Sequence, residues 1–250
     1  MPRLGLISSL TGGAPPEAVY ANNYSTVLAG DDDYVQIAHH STINIGSNLT
    51  VSAWIKTDTK ANQQTIISKG DSSSEDSWYV ELLNISGKVR AGIQNDSDYI
   101  LEHGTADLTD DAWHHVVVVI NTDATLVYVD GSRQDGTNLT NGSETDSMTN
   151  TSTLYIGQRY HDGNGRYWTG LIDEVALWDV VLDADAITAI YNSGDPMDLT
   201  ADSGNYDNSS DLISYWRFEE GSGTSTSDSS NNSNGGTLEN GAAYSADVPS

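Results

Sequence analysis

The chain has 250 residues, ample for one large β domain with its own core, and its 36 acidic and 10 basic residues give a formal charge of −26. That balance argues against nucleic acid or an anionic membrane surface as partner, because phosphate contacts need clustered Lys and Arg. No cysteine is present, so disulfide frameworks, thiolate nucleophiles and cysteine-ligated zinc are excluded.

Of the acids 27 are Asp and 9 are Glu, and with 23 Gly this is turn composition rather than helix composition, which points to an all-β protein. No apolar run approaches the roughly 18 residues that cross a bilayer, and the first ten residues make a poor signal peptide. Residues 1–18 carry Gly-Gly and Pro-Pro and no sustained period. They read as an extended arm whose Arg3, Leu4, Leu6, Ile7 and Leu10 would dock on a partner.

Residues 20–37 read as a hairpin: an apolar strand, a Gly-Asp turn, then Tyr34 and Gln36 alternating against Val35 and Ile37. Strand-length runs follow at 49–55, 65–68, 78–83, 88–93, 99–101, 113–120, 125–129 and 153–156, spaced as in a sandwich. The run from Val116 to Ile120 is apolar on both faces and is placed centrally, and Asp130-Gly131 supplies a turn. The polar stretch 137–151 is expected to be a long exposed loop, and 170–178 returns to strand pattern.

One short helix is predicted over 183–191. Asp183 caps it, Leu182 and Ile187 stand at staple positions, and Gly194 is placed to end it; it is expected to plug one end of the sandwich. Residues 195–210 are linker-like. The run 212–218 is apolar again, and leaving Tyr215, Trp216 and Phe218 in water would cost roughly 1.5–3 kcal/mol each. Residues 211–250 should therefore return to complete one domain spanning 19–250.

Three blocks carry a family resemblance: GDDDYVQIAHHSTINIGSNLTVSAWIK (30–56), AWHHVVVVINTDATLVYVDGSRQD (112–135) and LYIGQRYHDGNGRYWTGLIDEVALWDVVLDADAITAIYNSG (154–194). They resemble the laminin-G-like, concanavalin A-like jelly-roll family. The tail YWRFEEGSGTSTSDSSNNSNGGTLENGA (215–242) is similar to a segment that in many members precedes the Asp-Asp-Tyr-Val block, so the chain resembles either a permuted member or one that ends in the opening part of a second repeat, and the burial argument favours permutation. The resemblance implies a jelly-roll β-sandwich, lectin-like, with a structural Ca²⁺ at positions matching Asp31, Asp33, Asp173 and Asp228. Asp-rich turns equally suit hairpin capping.

The family also includes laminarinase-type glycosidases, which place their carboxylates on one strand as Glu-x-Asp-x-x-Glu. That motif is missing here: Glu144-Thr-Asp146 lies in a polar loop, and adjacent Asp173 and Glu174 alternate to opposite faces. A non-enzyme is expected. Likewise His114 and His115 alternate, so they cannot share a metal or act as one catalytic unit.

Sugar rings stack on aromatic faces, and Tyr160, Tyr167 and Trp168 in the Gly-rich loop YHDGNGRYW suit that use, as does Trp78 after the acidic loop 72–77. The competing reading puts Trp54, Trp113, Trp178 and Trp216 in the core and has Trp168 cover a sandwich edge. By resemblance to marine bacteriophage virion proteins, the expected role is a virion surface or capsid-decoration protein. Its arm would meet other capsid subunits or itself, and its sandwich would face cell-surface glycans. The alternative is a carbohydrate-binding module of an extracellular adhesin or glycan-degrading system.

Overall fold

The computed structural model describes residues 20–70, 77–94, 99–102, 104, 106–121, 125–134, 138–140, 148–161 and 164–250. In chain order the strands are β1 (Ser25–Ala29), β2 (Tyr34–Ile37), β3 (Leu49–Lys56), β4 (Gln64–Lys69), β5 (Ser77–Leu82), β6 (Val89–Gln94), β7 (Tyr99–Glu102), β8 (His114–Ile120), β9 (Thr125–Val129), β10 (Ser132–Gln134) and β11 (Asn138–Thr140). They continue with β12 (Leu154–Ile156), β13 (Tyr160–His161), β14 (Asn164–Gly165), β15 (Thr169–Trp178), β16 (Leu212–Trp216), β17 (Ser225–Thr226), β18 (Gly236–Glu239) and β19 (Ala243–Ser245), and helix α1 (Ala184–Tyr191) follows β15.

Two antiparallel sheets form a sandwich. One has the order β10-β9-β8-β3-β15-β1-β19 with β16 also on β15; the other has the order β11-β7-β6-β5-β4-β12-β2-β18-β17. Alternation in β8 explains its uninterrupted apolar run. Val116, Val118 and Ile120 enter the core between the sheets. Val117 and Val119 face the other way into a second core, built under Ile187 and Ile190 of α1 with Leu199 and Tyr206. The helix therefore lies on the outer face of the eight-stranded sheet instead of plugging an end. Residues 195–210 are no free linker, since Leu199 and Tyr206 are buried there.

The helix starts as its sequence dictates, with Asp183 Oδ1 accepting from Ala186 N at 2.8 Å. It ends earlier than Gly194, at Asn192, which takes the left-handed conformation (φ +48°).

β1 and β2 do not pair as a hairpin. β1 joins β15 and β19 in one sheet, and β2 joins β12 and β18 in the other. The turn between them carries the chain from layer to layer. Gly30 makes it possible, because its φ is +87° and a Cβ would stand 1.9 Å from Thr169 Oγ1. Asp33 Oδ2 accepts from Ala29 N at 2.7 Å and closes the turn.

The far end of the chain enters both sheets. β1 covers one edge of β15 at Thr169–Ile172, and β16 takes the same edge at Val175–Trp178. Between these lies a bulge at Asp173 and Glu174, where Glu174 has φ +49° and its N–H donates to Asp173 Oδ1 at 2.9 Å. β18 pairs with β2, and β19 with β1. Tyr215, Trp216 and Phe218 are all 0% exposed, and Trp216 Nε1 donates to Asn234 O at 2.7 Å.

Candidate functional site

On the outer face of the nine-stranded sheet, alternation in β2 sends Val35 and Ile37 into the core and leaves Tyr34 and Gln36 outside. Register then sets Tyr155 of β12 opposite Gln36, and the Tyr34 and Tyr155 rings meet edge to face with centroids 5.4 Å apart. Tyr167 lies near enough for its charge to act on Tyr34. Partial burial, with the charges of Glu239, Tyr155, Tyr167 and Asp32 nearby, holds the Tyr34 phenol above its ordinary pKa. The three rings are half-buried, each with an apolar face and a polar tip, and carboxylates flank them.

Tyr167 owes its position to a strap, of which residues 157–161 and 164–168 are described, anchored on β4 and β5. Gly157 N donates to Ile66 O at 2.8 Å, Ser68 Oγ to Gln158 O at 2.7 Å, and Trp168 N to Gly157 O at 2.8 Å. The strap is further anchored on Glu81 of β5, whose side chain is fully buried. Arg90 Nε donates to its Oε1 at 2.8 Å, Arg166 Nη1 reaches both oxygens at 3.1 and 3.2 Å, and Gln63 Nε2 donates at 2.6 Å. The Arg159 guanidinium sits 3.6 Å from the Tyr79 ring centre, and burial lowers its pKa. The tyrosines therefore stand on a braced surface.

This placement corrects the aromatic platform expected of Trp78 and Trp168. Both are 0% exposed: Trp78 points into the core between the sheets, and Trp168 turns inward under the strap, so neither offers a ring face to a ligand. The side chain of Tyr160 lies outside the described residues, as does the arm with Arg3, Leu4, Leu6, Ile7 and Leu10. Trp113 is half-buried rather than core, its Nε1 donating to Asp247 Oδ1 at 2.9 Å.

Asp31, Asp33, Asp173 and Asp228 are not gathered into one site. Asp31 is exposed in the β1–β2 turn, which Asp33 closes. Asp173 is 0% exposed at the β15 bulge, accepting from Asn22 Nδ2 at 3.0 Å. Asp228 accepts from the backbone N–H groups of Tyr215, Ser230 and Asn234 at 2.8–2.9 Å. Among the described residues, no three His, Asp or Glu side chains converge as a metal site. The carboxylates serve turns and backbone donors instead.

His114 and His115 do face opposite ways. His114 bridges Asp130 (2.9 Å) and Asp110 (3.1 Å), and the hydrogen bond it donates to Asp130 raises its pKa despite partial burial. His115 is buried between Trp54 and Tyr191 with Nε2 2.7 Å from Ser52 Oγ, and burial pushes its pKa down to about 4. That Ser-His pair is sealed from solvent and cannot meet a substrate. The same holds for Asp173 and Glu174, which are 0% and 2% exposed.

Residues 29–188 match the family model described as the concanavalin A-like lectin/glucanases superfamily, of laminin G type. The chain belongs to this superfamily. Its lectin-like fold extends to solved structures at low identity. A Bacteroides ovatus protein provisionally described as carbohydrate-binding matches with TM-score 0.63 and 18% identity, over 91% of this chain and 61% of that one. The chain thus spans about three fifths of that protein's length. A pentraxin of Limulus polyphemus matches with TM-score 0.53 and 18% identity over 70% of this chain and 84% of its own. The CBM40 domain of a Ruminococcus gnavus sialidase gives 0.53 and 15% over 67% and 96%. No curated protein matches the chain. Within this superfamily member, two sequence signals point to the tyrosine group, the Gly-rich aromatic loop that holds Tyr167 and the outward alternation of Tyr34 in β2; Tyr155 carries none that can be read before its register is known.

Proposed function

We propose that the chain is a non-catalytic carbohydrate-binding domain working outside the cell, with a glycan held on Tyr34, Tyr155 and Tyr167. The observation that carries this reading is the edge-to-face pair of half-buried Tyr34 and Tyr155 on one braced sheet face, with half-buried Tyr167 nearby. Sugar C–H faces pack on such rings, while the phenol hydroxyls, Gln36 and the flanking carboxylates can meet sugar hydroxyls. The Ruminococcus gnavus domain, solved also with sialyllactose, and the arabinotriose-bound domain 4 of a Geobacillus stearothermophilus arabinanase (TM-score 0.51, 16% identity, 67% of this chain and 76% of that one) lend the fold-level analogy. Binding is favoured over hydrolysis because the acids buried side by side, Asp173 and Glu174, lie out of a saccharide's reach.

A glycan array followed by calorimetry on the strongest hit tests the reading. Tyr34→Ala and Tyr155→Ala should each weaken that hit about tenfold, the scale of one lost aromatic contact. Affinity indifferent to both changes, or turnover of the glycan, would overturn it.

A virion surface is the second setting for the same sandwich, and the apolar residues of the 1–18 arm are what favour it. If the chain lacking 1–18 assembles as the whole chain does, judged by native mass, that setting is lost.

A further inference from the structure

Where residues 41–48 run past the tail turn at Ser209–Asp211, the surface opens into a cleft of about 590 Å³. A second hollow of about 400 Å³ adjoins it, sharing Ser210, Leu212 and Asn232 as common wall. The larger volume is that of a small-molecule site. None of its lining residues belongs to the tyrosine face.

The walls are held firmly. Thr42 Oγ1 accepts from Asn234 Nδ2 at 2.9 Å, Asn232 Nδ2 donates to Ile213 O at 3.1 Å, and Gly46 O accepts from Met148 N at 3.0 Å. Among the described residues, the lining side chains of Ser41, Ser47, Asn48, Asp179 and Ser210 make no hydrogen bond within the chain. Five uncommitted polar side chains thus face one fixed hollow, which lowers the ordering cost of a ligand that uses them. At its base lie Ile45, Leu212 and Ile213, 3–8% exposed, a small apolar strip.

We propose that this cleft binds a neutral saccharide of one or two rings, as a second site separate from the tyrosines; only its ligand class rests on the reading above. Hydroxyls and amides suit sugar hydroxyls, and the apolar strip suits a C–H face. Among the described residues no Lys, Arg or His lines the cleft, while Asp179 and Asp211 do, so phosphates and acidic sugars are disfavoured. Asp211 Oδ2 already accepts from Asn208 Nδ2 at 3.2 Å, leaving Asp179 as the one uncommitted lining carboxylate among the described residues. A single such charge is poor for a hard divalent cation.

The test is an amide-resonance titration of the full chain with lactose, cellobiose, maltose and chitobiose, and separately with glucuronic acid and with CaCl₂. Expected are saturable shifts at Ser47, Asn48, Ser210 and Asn232 with at least one neutral disaccharide. Asn48→Ala should weaken them about tenfold, and Ser210→Leu should abolish them by filling the cleft; both residues are exposed, so the fold is spared. Shifts confined to the tyrosine face would defeat this proposal and leave the tyrosine reading standing. Cleft shifts that survive Tyr34→Ala would support two separate sites. Cleft shifts with CaCl₂ or glucuronic acid but no neutral sugar would overturn the assignment.

Discussion

The hydroxyl of Tyr20 lies 2.7 Å from the hydroxyl of Tyr215, 195 residues further along the chain. Tyr215 also donates to Glu174, and Arg217 Nε reaches Tyr20 at 3.2 Å while its guanidinium covers the Tyr20 ring at 4.2 Å. This polar joint fills the notch between β1 and β16 on the edge of β15, so the start and the tail of the described chain are locked to the same bulge. The proposed glycan face on the opposite sheet is tied to it, because the tail strand β18 flanks β2, which carries Tyr34.

Removing the tail's central anchor should therefore unfold more than the tail. Trp216 is 0% exposed in the core between the sheets. Trp216→Ala should cost about 3–5 kcal/mol, seen as a lower denaturant midpoint with one transition and an unchanged slope. Two separated transitions would mean that the tail folds as an independent unit.

The joint also sets a pH response. Burial raises the Glu174 carboxyl to about 7 and, with the Glu174 charge adding to it, holds Asp173 above its ordinary range. The folded chain thus binds these protons more tightly than the unfolded chain. The associated stability is complete below about 4.5 and lost as pH rises through about 7. His114, raised by Asp130, is lost in the same direction. Because His115 acts in the opposite direction below about 6.5, denaturant midpoints should fall between about pH 6.5 and pH 8, and Glu174→Gln, which keeps an acceptor for Tyr215, should make that fall shallower. An equally steep fall in the variant would remove Glu174 from the account.

The acid side has a different owner. His115, lowered to about 4 by burial, contributes stability that is present above its ordinary 6.5 and lost as pH falls toward 4. His115→Asn should flatten this limb while leaving the alkaline one. If instead the acid limb persists in the variant, protonation elsewhere drives it.

How much of this was legible depends on whether a residue's neighbours are local. Asp183 caps its own helix three residues on, and the β8 run announces burial on both faces, so both could be read directly. The β1–β2 turn has hairpin composition, yet nothing local says that the flanking strands belong to different sheets. Leu199 and Tyr206, sparse among polar residues, hide the second core in what reads as linker. Trp168 in a Gly-rich loop reads as exposed until the strap's anchorage on Glu81 and Ser68, 85 and more residues away, is known. The polar cleft shares that difficulty, being built from segments some 160 residues apart.

That contrast between Trp168 and Tyr34 yields the sharpest separation of packing from binding. Trp78 and Trp168 bury their whole side chains, so Trp78→Ala or Trp168→Ala should cost about 3–5 kcal/mol of stability through lost burial and a residual cavity. Tyr34 is half-buried, and Tyr34→Ala should cost well under half as much. Glycan affinity, measured well below each variant's melting temperature, should move the other way: near native for Trp78→Leu, a milder core change that retains apolar volume, and about tenfold weaker for Tyr34→Ala. If Trp78→Leu, correctly folded by circular dichroism, lost the glycan while Tyr34→Ala kept it, the ligand would have to sit somewhere other than on the tyrosine face.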